Sequence, residues 1–178
     1  MRDYLQEMRS LPRKHNFFIG FDSDGCVFDS MEVKQKECFC PAFIKHFGMQ
    51  PASKYAREVW EFVNLYSKTR GCNRFLAIDH AMKLISERPE ILKRGVKPLD
   101  TADLQAWIKL ESKLGNPALK AYLEKVDSPS LRQVMDWSIE VNQRITDMVY
   151  GVPPLPGVVL PVFPLPAPVF VAAPMPPV

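Results

Sequence analysis

The chain has 178 residues, with 23 lysine and arginine residues against 20 aspartate and glutamate residues. This length is enough for one domain, or for a small core that carries an inserted domain. The formal net charge of +3 is small and gives no reason to expect a nucleic-acid partner. The N-terminus, MRDYLQEMRS, is charged and has no apolar signal segment, which predicts a cytoplasmic location.

Residues 1–16 form a polar lead-in, in which a short helix over residues 3–10 is predicted to end before Pro12. Residues 17–21 (FFIGF) are apolar on both faces, which favours a central strand of a parallel sheet. Asp22 and Asp24 follow directly. Open α/β sheets bind their ligands at the carboxyl ends of their strands, so the pattern predicts an α/β fold with a site here.

The spacing of Asp22 and Asp24 has a chemical logic. In an extended chain, residues two apart point to the same side, so both carboxylates can face one reacting centre. One carboxylate can act as a nucleophile while the other transfers protons. Their oxygens are also ligands that suit Mg²⁺. The alternative is that D-S-D-G is only an acidic turn after a strand.

The whole stretch FFIGFDSDGCVFDS, residues 17–30, resembles the first motif of the haloacid dehalogenase-like hydrolases. It is most similar to the β-phosphoglucomutase and phosphoglycolate phosphatase branch. The resemblance implies that Asp22 is the nucleophile and Asp24 the general acid/base. It also implies that Mg²⁺ is bound by the Asp22 carboxylate and the Asp24 backbone carbonyl. The implied fold is a Rossmannoid α/β core with a helical cap inserted after this motif.

Residues 31–150 contain apolar residues at helical spacing almost throughout, which agrees with an inserted cap. Residues 1–30 would then supply the first core strand and the catalytic loop. Pro41 is expected to kink or split the first helix. Trp60, Trp107 and Trp137 lie on apolar stripes and are predicted core residues. The predicted helices run from Met31 to Phe47, Ser53 to Tyr66, Arg74 to Glu87, from after Thr101 to Leu114, Asn116 to Val126 and Ser128 to Val149. Asn116 and Ser128, each followed by a proline, are predicted to cap the last two helices.

The loop between the second and third predicted helices contains Arg70 and Arg74 in the pattern R-G-x-x-R. It resembles the substrate-specificity loop in the cap of β-phosphoglucomutase-like enzymes. The resemblance implies that Arg70 or Arg74 binds an anionic or hydroxylated leaving group, for which a guanidinium fork is suited. The alternative is that both arginines are solvated residues that flank the start of a helix.

The four cysteines are Cys26, Cys38, Cys40 and Cys72. Cys38 and Cys40 form a C-x-C pattern that could hold a metal ion. No second closely spaced cysteine pair completes a zinc site, however. We therefore interpret all four as free thiols of a cytosolic protein.

Residues 151–178 differ sharply from the rest of the chain. They contain no charged residue, no serine and no threonine, and ten of the 17 prolines. Proline at short intervals disfavours both a central strand and a membrane helix, which predicts an irregular tail. The family's later motifs need a Ser or Thr, a Lys and an acidic pair, and this tail supplies none of them. It could be a polyproline II segment that binds an aromatic groove, or the product of an altered reading frame, which we favour.

The resemblance therefore implies a Mg²⁺-dependent phosphatase of a small organic phosphate, impaired here because the later motifs are absent. Phosphatase, mutase, dehalogenase and phosphonatase chemistry all remain open, as does the oligomeric state. No membrane or nucleic-acid partner is expected. The alternative function is that of a catalytically inactive fragment that acts as a helical interaction protein.

Overall fold

The computed structural model describes residues 30–148 and, outside that stretch, residues 6, 10, 12, 27 and 28. Residues 30–148 are mostly helical, and none of the described residues belongs to a β-strand of a sheet. The predicted α/β fold is therefore wrong for the described part of the chain, which is an all-helical domain. That prediction depended on one strand, at residues 17–21, which lies outside the described residues, as do Asp22, Asp24 and the tail at 151–178.

The first helical run extends through Pro41 without being split. It consists of α1 (Ser30–Val33), a first π-helical segment (Lys34–Phe39) and α2 (Cys40–His46). In an α-helix, the proline ring collides with the carbonyl four residues earlier. The wider turn just before Pro41, in which the Cys40 N–H donates to the Gln35 carbonyl, gives the ring room. The predicted kink or split at Pro41 is replaced by this local widening.

The chain then reverses at Gly48, which adopts a left-handed backbone conformation with a φ of 64°. The Met49 N–H donates to the Ile44 carbonyl at 2.9 Å and closes the end of the helix. The second helical run follows at once. Because the connection is short, the second run packs antiparallel to the first. It comprises a 3₁₀-helix (Gln50–Ala52), α3 (Ser53–Glu61) and a second π-helical segment (Phe62–Tyr66).

Five further helices complete the described domain: α4 (Arg74–Ser86), α5 (Pro89–Leu92), α6 (Ala102–Leu110), α7 (Asn116–Leu123) and α8 (Pro129–Met148). The longest of them, α8, packs against the first helical run and against α6 and α7. Among the described residues, no helix is both long and apolar enough to cross a membrane.

Helix ends agree with the sequence where a side chain caps them locally. The Ser128 hydroxyl accepts a hydrogen bond from the Leu131 N–H at 3.2 Å, which confirms the predicted cap of α8. Asn116 was predicted to cap α7 but lies inside that helix. Helix α6 ends at Leu110 rather than at Leu114, because the backbone at Glu111 is extended.

The core is centred on aromatic rings contributed by the first, second and last helical runs. The Trp60 and Trp137 rings meet edge to face with centroids 5.7 Å apart. Phe43 lies 4.7 Å from Trp60, and Phe39 lies 5.9 Å from Trp137. Trp107 packs edge to face on Phe75 between α4 and α6. Trp60, Trp107 and Trp137 are all buried, which confirms their prediction as core residues.

We expect Trp137→Ala to destabilise the domain by about 3–5 kcal/mol, because it removes a large buried ring from the aromatic core. The matched control on the same helix is Ile139→Ala, whose side chain is 52% exposed and whose loss should cost no more than about 0.5 kcal/mol. Chemical denaturation followed by circular dichroism measures both. Equal losses in the two variants would contradict this account of the core.

Candidate functional site

The two predicted catalytic residues, Asp22 and Asp24, lie outside the residues that the structure describes. Their roles as nucleophile, acid/base and Mg²⁺ ligands stay predictions. Within residues 30–148, no group of three or more His, Cys, Asp or Glu side chains lies close enough together to hold a metal ion.

The loop of residues 67–73 lies towards the end of the domain at which the chain enters α1. The Trp60 indole N–H donates to the Gln35 side chain at 2.9 Å, and the Lys36 ammonium lies 3.9 Å from the Glu61 carboxylate. Since the two runs are antiparallel, the second run continues from Glu61 towards Ser30. The loop that follows it is therefore on the same side as the attachment point of the D-S-D-G segment.

The C-terminal end of α8 lies beside the middle of the first run, where the Cys38 thiol is 3.6 Å from the Met148 sulfur.

The loop of residues 67–73 is held by its own hydrogen bonds. The Ser67 hydroxyl donates to the Val63 carbonyl at 2.8 Å and accepts from the Thr69 N–H at 3.0 Å. The Cys72 N–H donates to the Thr69 carbonyl at 3.0 Å. Gly71 takes a left-handed conformation with a φ of 77°, which other residues adopt only with strain. The loop is therefore a defined turn.

Arg70 and Lys68 project from this turn into solvent. Both side chains are exposed, and neither forms a hydrogen bond or an ion pair with any other described residue. Their charges are not neutralised within residues 30–148. Arg70 is thus placed where it could meet an anionic ligand, and its substrate-binding role stays a prediction.

Arg74 is placed quite differently, in the packing between helices. Its Nη1 atom donates to the Asn142 side-chain oxygen at 2.7 Å, to the Ser138 hydroxyl at 3.0 Å and to the Ser138 carbonyl at 3.3 Å. Its guanidinium carbon lies 5.1 Å from the centre of the Phe39 ring. Burial lowers the pKa of Arg74 to about 10, so the group is still charged at neutral pH.

The R-G-x-x-R pattern therefore brings together two arginines with different environments. One is solvated at the turn, and the other is held against α8. Substrate binding by Arg74 also stays a prediction, but its described contacts are all with the protein itself. The sequence could not distinguish the two, because the partners of Arg74 lie more than sixty positions further along the chain.

Cys38 and Cys40 are buried on the first helical run. Burial raises the pKa of both thiols, that of Cys40 to about 12. A buried thiol that stays protonated is a poor metal ligand and a poor nucleophile. This environment agrees with their interpretation as free thiols.

Two shallow grooves lie elsewhere on the domain. One, of about 340 Å³, lies between α7 and α8 and is lined by positively charged, negatively charged and apolar side chains. The other, of about 310 Å³, lies between α3, the second π-helical segment and the end of α4. No residue of the 67–73 loop lines either groove. Neither contains the convergent polar groups of a built ligand site.

A charge cluster that the sequence did not reveal joins the first run to α8. The Glu140 carboxylate lies 2.7 Å from both Lys45 Nζ and His46 Nε2, and 2.8 Å from Arg144 Nη2. Burial alone would raise the pKa of Glu140, but hydrogen bonds from Lys45, His46 and Arg144 outweigh it and lower the pKa to about 2. Only the Glu140–Arg144 spacing of four residues was visible in the sequence.

Comparison of this chain with protein-family models, with curated proteins and with solved structures finds no match in any of the three.

The cluster predicts an acid-dependent contribution to stability. Because the folded-state pKa of Glu140 lies below its ordinary value of 4.5, its contribution is complete above pH 4.5 and is lost as the pH falls towards 2. We expect Glu140→Gln to lower the free energy of unfolding by about 1–2 kcal/mol at pH 7. This difference from the parent chain should shrink as the pH falls from 4.5 towards 2.

Asp136→Asn is the matched control, because Asp136 is exposed on the same helix and forms no ion pair with the described residues. Urea denaturation at several pH values gives the difference for each variant. A Glu140→Gln difference that stays constant from pH 6 to about pH 2.5 would refute the role assigned to this cluster.

Proposed function

We propose that the chain is a Mg²⁺-dependent phosphatase of the haloacid dehalogenase-like class, acting in the cytoplasm on a small organic phosphate ester. The observation that carries the proposal is D-S-D-G at residues 22–25, directly after an apolar stretch and directly before a helical domain. The exposed cations Lys68 and Arg70, on the side where that motif is attached, support an anionic substrate.

The reaction has two displacements at phosphorus. A carboxylate oxygen of Asp22 attacks phosphorus, the bond to the ester oxygen breaks, and Asp24 donates a proton to the departing alcohol. A water molecule then attacks the phosphorus of the aspartyl-phosphate and gives its proton to Asp24. Phosphate leaves and the Asp22 carboxylate is restored. Bound Mg²⁺ would supply positive charge that offsets the phosphoryl oxygens.

Residues 30–148 would serve as the domain that covers the reacting centre. In this role Arg70 contacts an anionic group of the substrate or of a bound phosphate. We expect the chain to turn over slowly, because residues 151–178 contain no Ser or Thr, no Lys and no carboxylate. These are the groups that the family places after its cap.

The proposal predicts Mg²⁺-dependent hydrolysis of p-nitrophenyl phosphate by the purified chain, abolished by Asp22→Asn, which removes the nucleophile. Glu124→Gln is the control, because Glu124 is an exposed carboxylate far from the motif in the chain. It should leave the rate unchanged. Hydrolysis that persists in Asp22→Asn would rule out the aspartyl-phosphate mechanism.

Mg²⁺ binding gives a second test that does not need turnover. A ligand present at ten times its dissociation constant stabilises the folded state by about 1.4 kcal/mol. We expect Mg²⁺ to raise the unfolding temperature of the parent chain and of Glu124→Gln, and to have no effect on Asp22→Ala. The same shift in all three proteins would show that Mg²⁺ acts elsewhere.

The second candidate function is that of a catalytically inactive helical interaction protein. The observation that favours it is the pair of exposed aromatic side chains on the second run, Phe62 at 51% and Tyr66 at 65% exposure. They are the first and last residues of the second π-helical segment, about one helical turn apart. A folded chain with neither Mg²⁺ stabilisation nor phosphatase turnover would favour this function over the first.

A further inference from the structure

We infer that Arg74 is a positioning residue: it fixes the 67–73 loop, and with it the exposed Arg70, against helix α8. The inference rests on the proposed function in that it treats this loop as the substrate-contacting element. The two arginines of R-G-x-x-R then have different roles: Arg70 contacts the ligand, and Arg74 holds the turn in place.

The acceptors of Arg74 are themselves held in place. Ser138 is buried, and its hydroxyl donates to the Asn116 side-chain oxygen at 2.6 Å. Asn116 is the first residue of α7, so the Arg74 guanidinium, through Ser138, links the start of α4 to both α7 and α8. The Phe39 ring below the guanidinium adds the first helical run to this junction.

The charge of Arg74 has no counterion among the described residues. No carboxylate of residues 30–148 lies within 4 Å of its nitrogens, and its partners are neutral oxygens and an aromatic face. Taking a cation out of water without a counterion costs free energy. The benefit that remains is geometric: a planar guanidinium whose Nη1 atom meets three oxygens, and whose central carbon lies 5.1 Å from the centre of the Phe39 ring, can adopt few orientations.

That fixed orientation is passed on to the loop. Asn73, next to Arg74, donates from its side chain to the Leu114 carbonyl at 3.0 Å and caps the Phe75 N–H at 3.0 Å. At the other end of the loop, Ser67 is bonded to Val63. Both ends of the short turn are thus anchored, and Arg70 lies between the anchors. Loss of the Arg74 contacts would leave Asn73 as the remaining anchor at that end, so Arg70 would move more freely.

The experiment compares full-length Arg74→Met, Arg74→Lys and Arg88→Met with the parent chain. Arg88 is the control, because its Nη1 atom donates to a Glu58 carboxylate oxygen at 2.8 Å and its guanidinium carbon lies 5.8 Å from the centre of the Tyr55 ring, as Arg74 lies near Phe39, but none of its contacts is with the loop. Two measurements are made on each protein: hydrogen exchange at the amides of residues 69–72, and affinity for inorganic phosphate in the presence of Mg²⁺.

We expect Arg74→Met to speed exchange at these loop amides by about tenfold or more, beyond any change in global stability, and to weaken phosphate binding by about fivefold. Arg74→Lys should recover part of both losses, because an ammonium can still donate to Ser138 or Asn142. Arg88→Met should change neither quantity, even if it lowers the unfolding temperature. This pattern supports the positioning role.

Two results would overturn the inference. Unchanged loop exchange in Arg74→Met would show that Arg74 does not hold the turn. Weakened phosphate binding with unchanged loop exchange would show that Arg74 itself contacts the anion. If Arg74→Met frees the loop but phosphate binds to none of the proteins, the parent chain included, the positioning role stands and the proposed function fails.

Discussion

The fold depends on the contact between Trp60 and Trp137, which joins the second helical run to the last helix. The two rings are surrounded by Phe39 and Phe43 of the first run, so one aromatic cluster joins the first two helical runs to the last helix, which is distant from them in sequence. Buried aromatic side chains supply large apolar areas with few rotatable bonds. The other helices add to this cluster from outside, and the second, smaller contact between Phe75 and Trp107 extends it.

The polar contacts of the domain are arranged around that cluster and give it a fixed register. On one side, the Glu140 carboxylate contacts the basic side chains of Lys45 and His46 in the first run and of Arg144 in its own helix. On the other, Arg74, Ser138 and Asn116 form a neutral-acceptor network. Hydrogen-bonded groups of this kind must be satisfied together, so each network disfavours sliding of α8 along its neighbours. The apolar rings supply the stabilisation and the polar groups select one alignment.

The sequence was sufficient for features set by local periodicity. The helical pattern predicted for residues 31–150, the buried tryptophans and the Ser128 cap all depend on residues close together in the chain, and the structure agrees with them over the described residues 31–148. The α/β prediction was an extrapolation from one apolar stretch and a motif, and the described residues contain no sheet to match it. Asn116 was misassigned because a distant hydroxyl, that of Ser138, competes for its side chain.

The candidate site also combines features that the local sequence predicts with features that depend on distant residues. A loop with free cations could be found from R-G-x-x-R, since glycine and charge mark an exposed turn. The different environments of Arg70 and Arg74 could not, because they are set by α8. The cluster at Glu140 was equally invisible, since Lys45 and His46 lie more than ninety residues earlier. Long-range polar pairing leaves no periodic trace in a sequence.

The widened turn at Lys34–Phe39 has a consequence for how the domain is attached to what precedes it. A π-helical turn accommodates one residue more than an α-helical turn, and one residue of α-helix corresponds to about 100° of rotation about the axis. Ser30 is therefore rotated by about that angle relative to the aromatic face of Phe39 and Phe43, compared with a uniform α-helix. In effect, the extra residue sets the direction in which α1 begins, while the aromatic residues after it keep their places in the core.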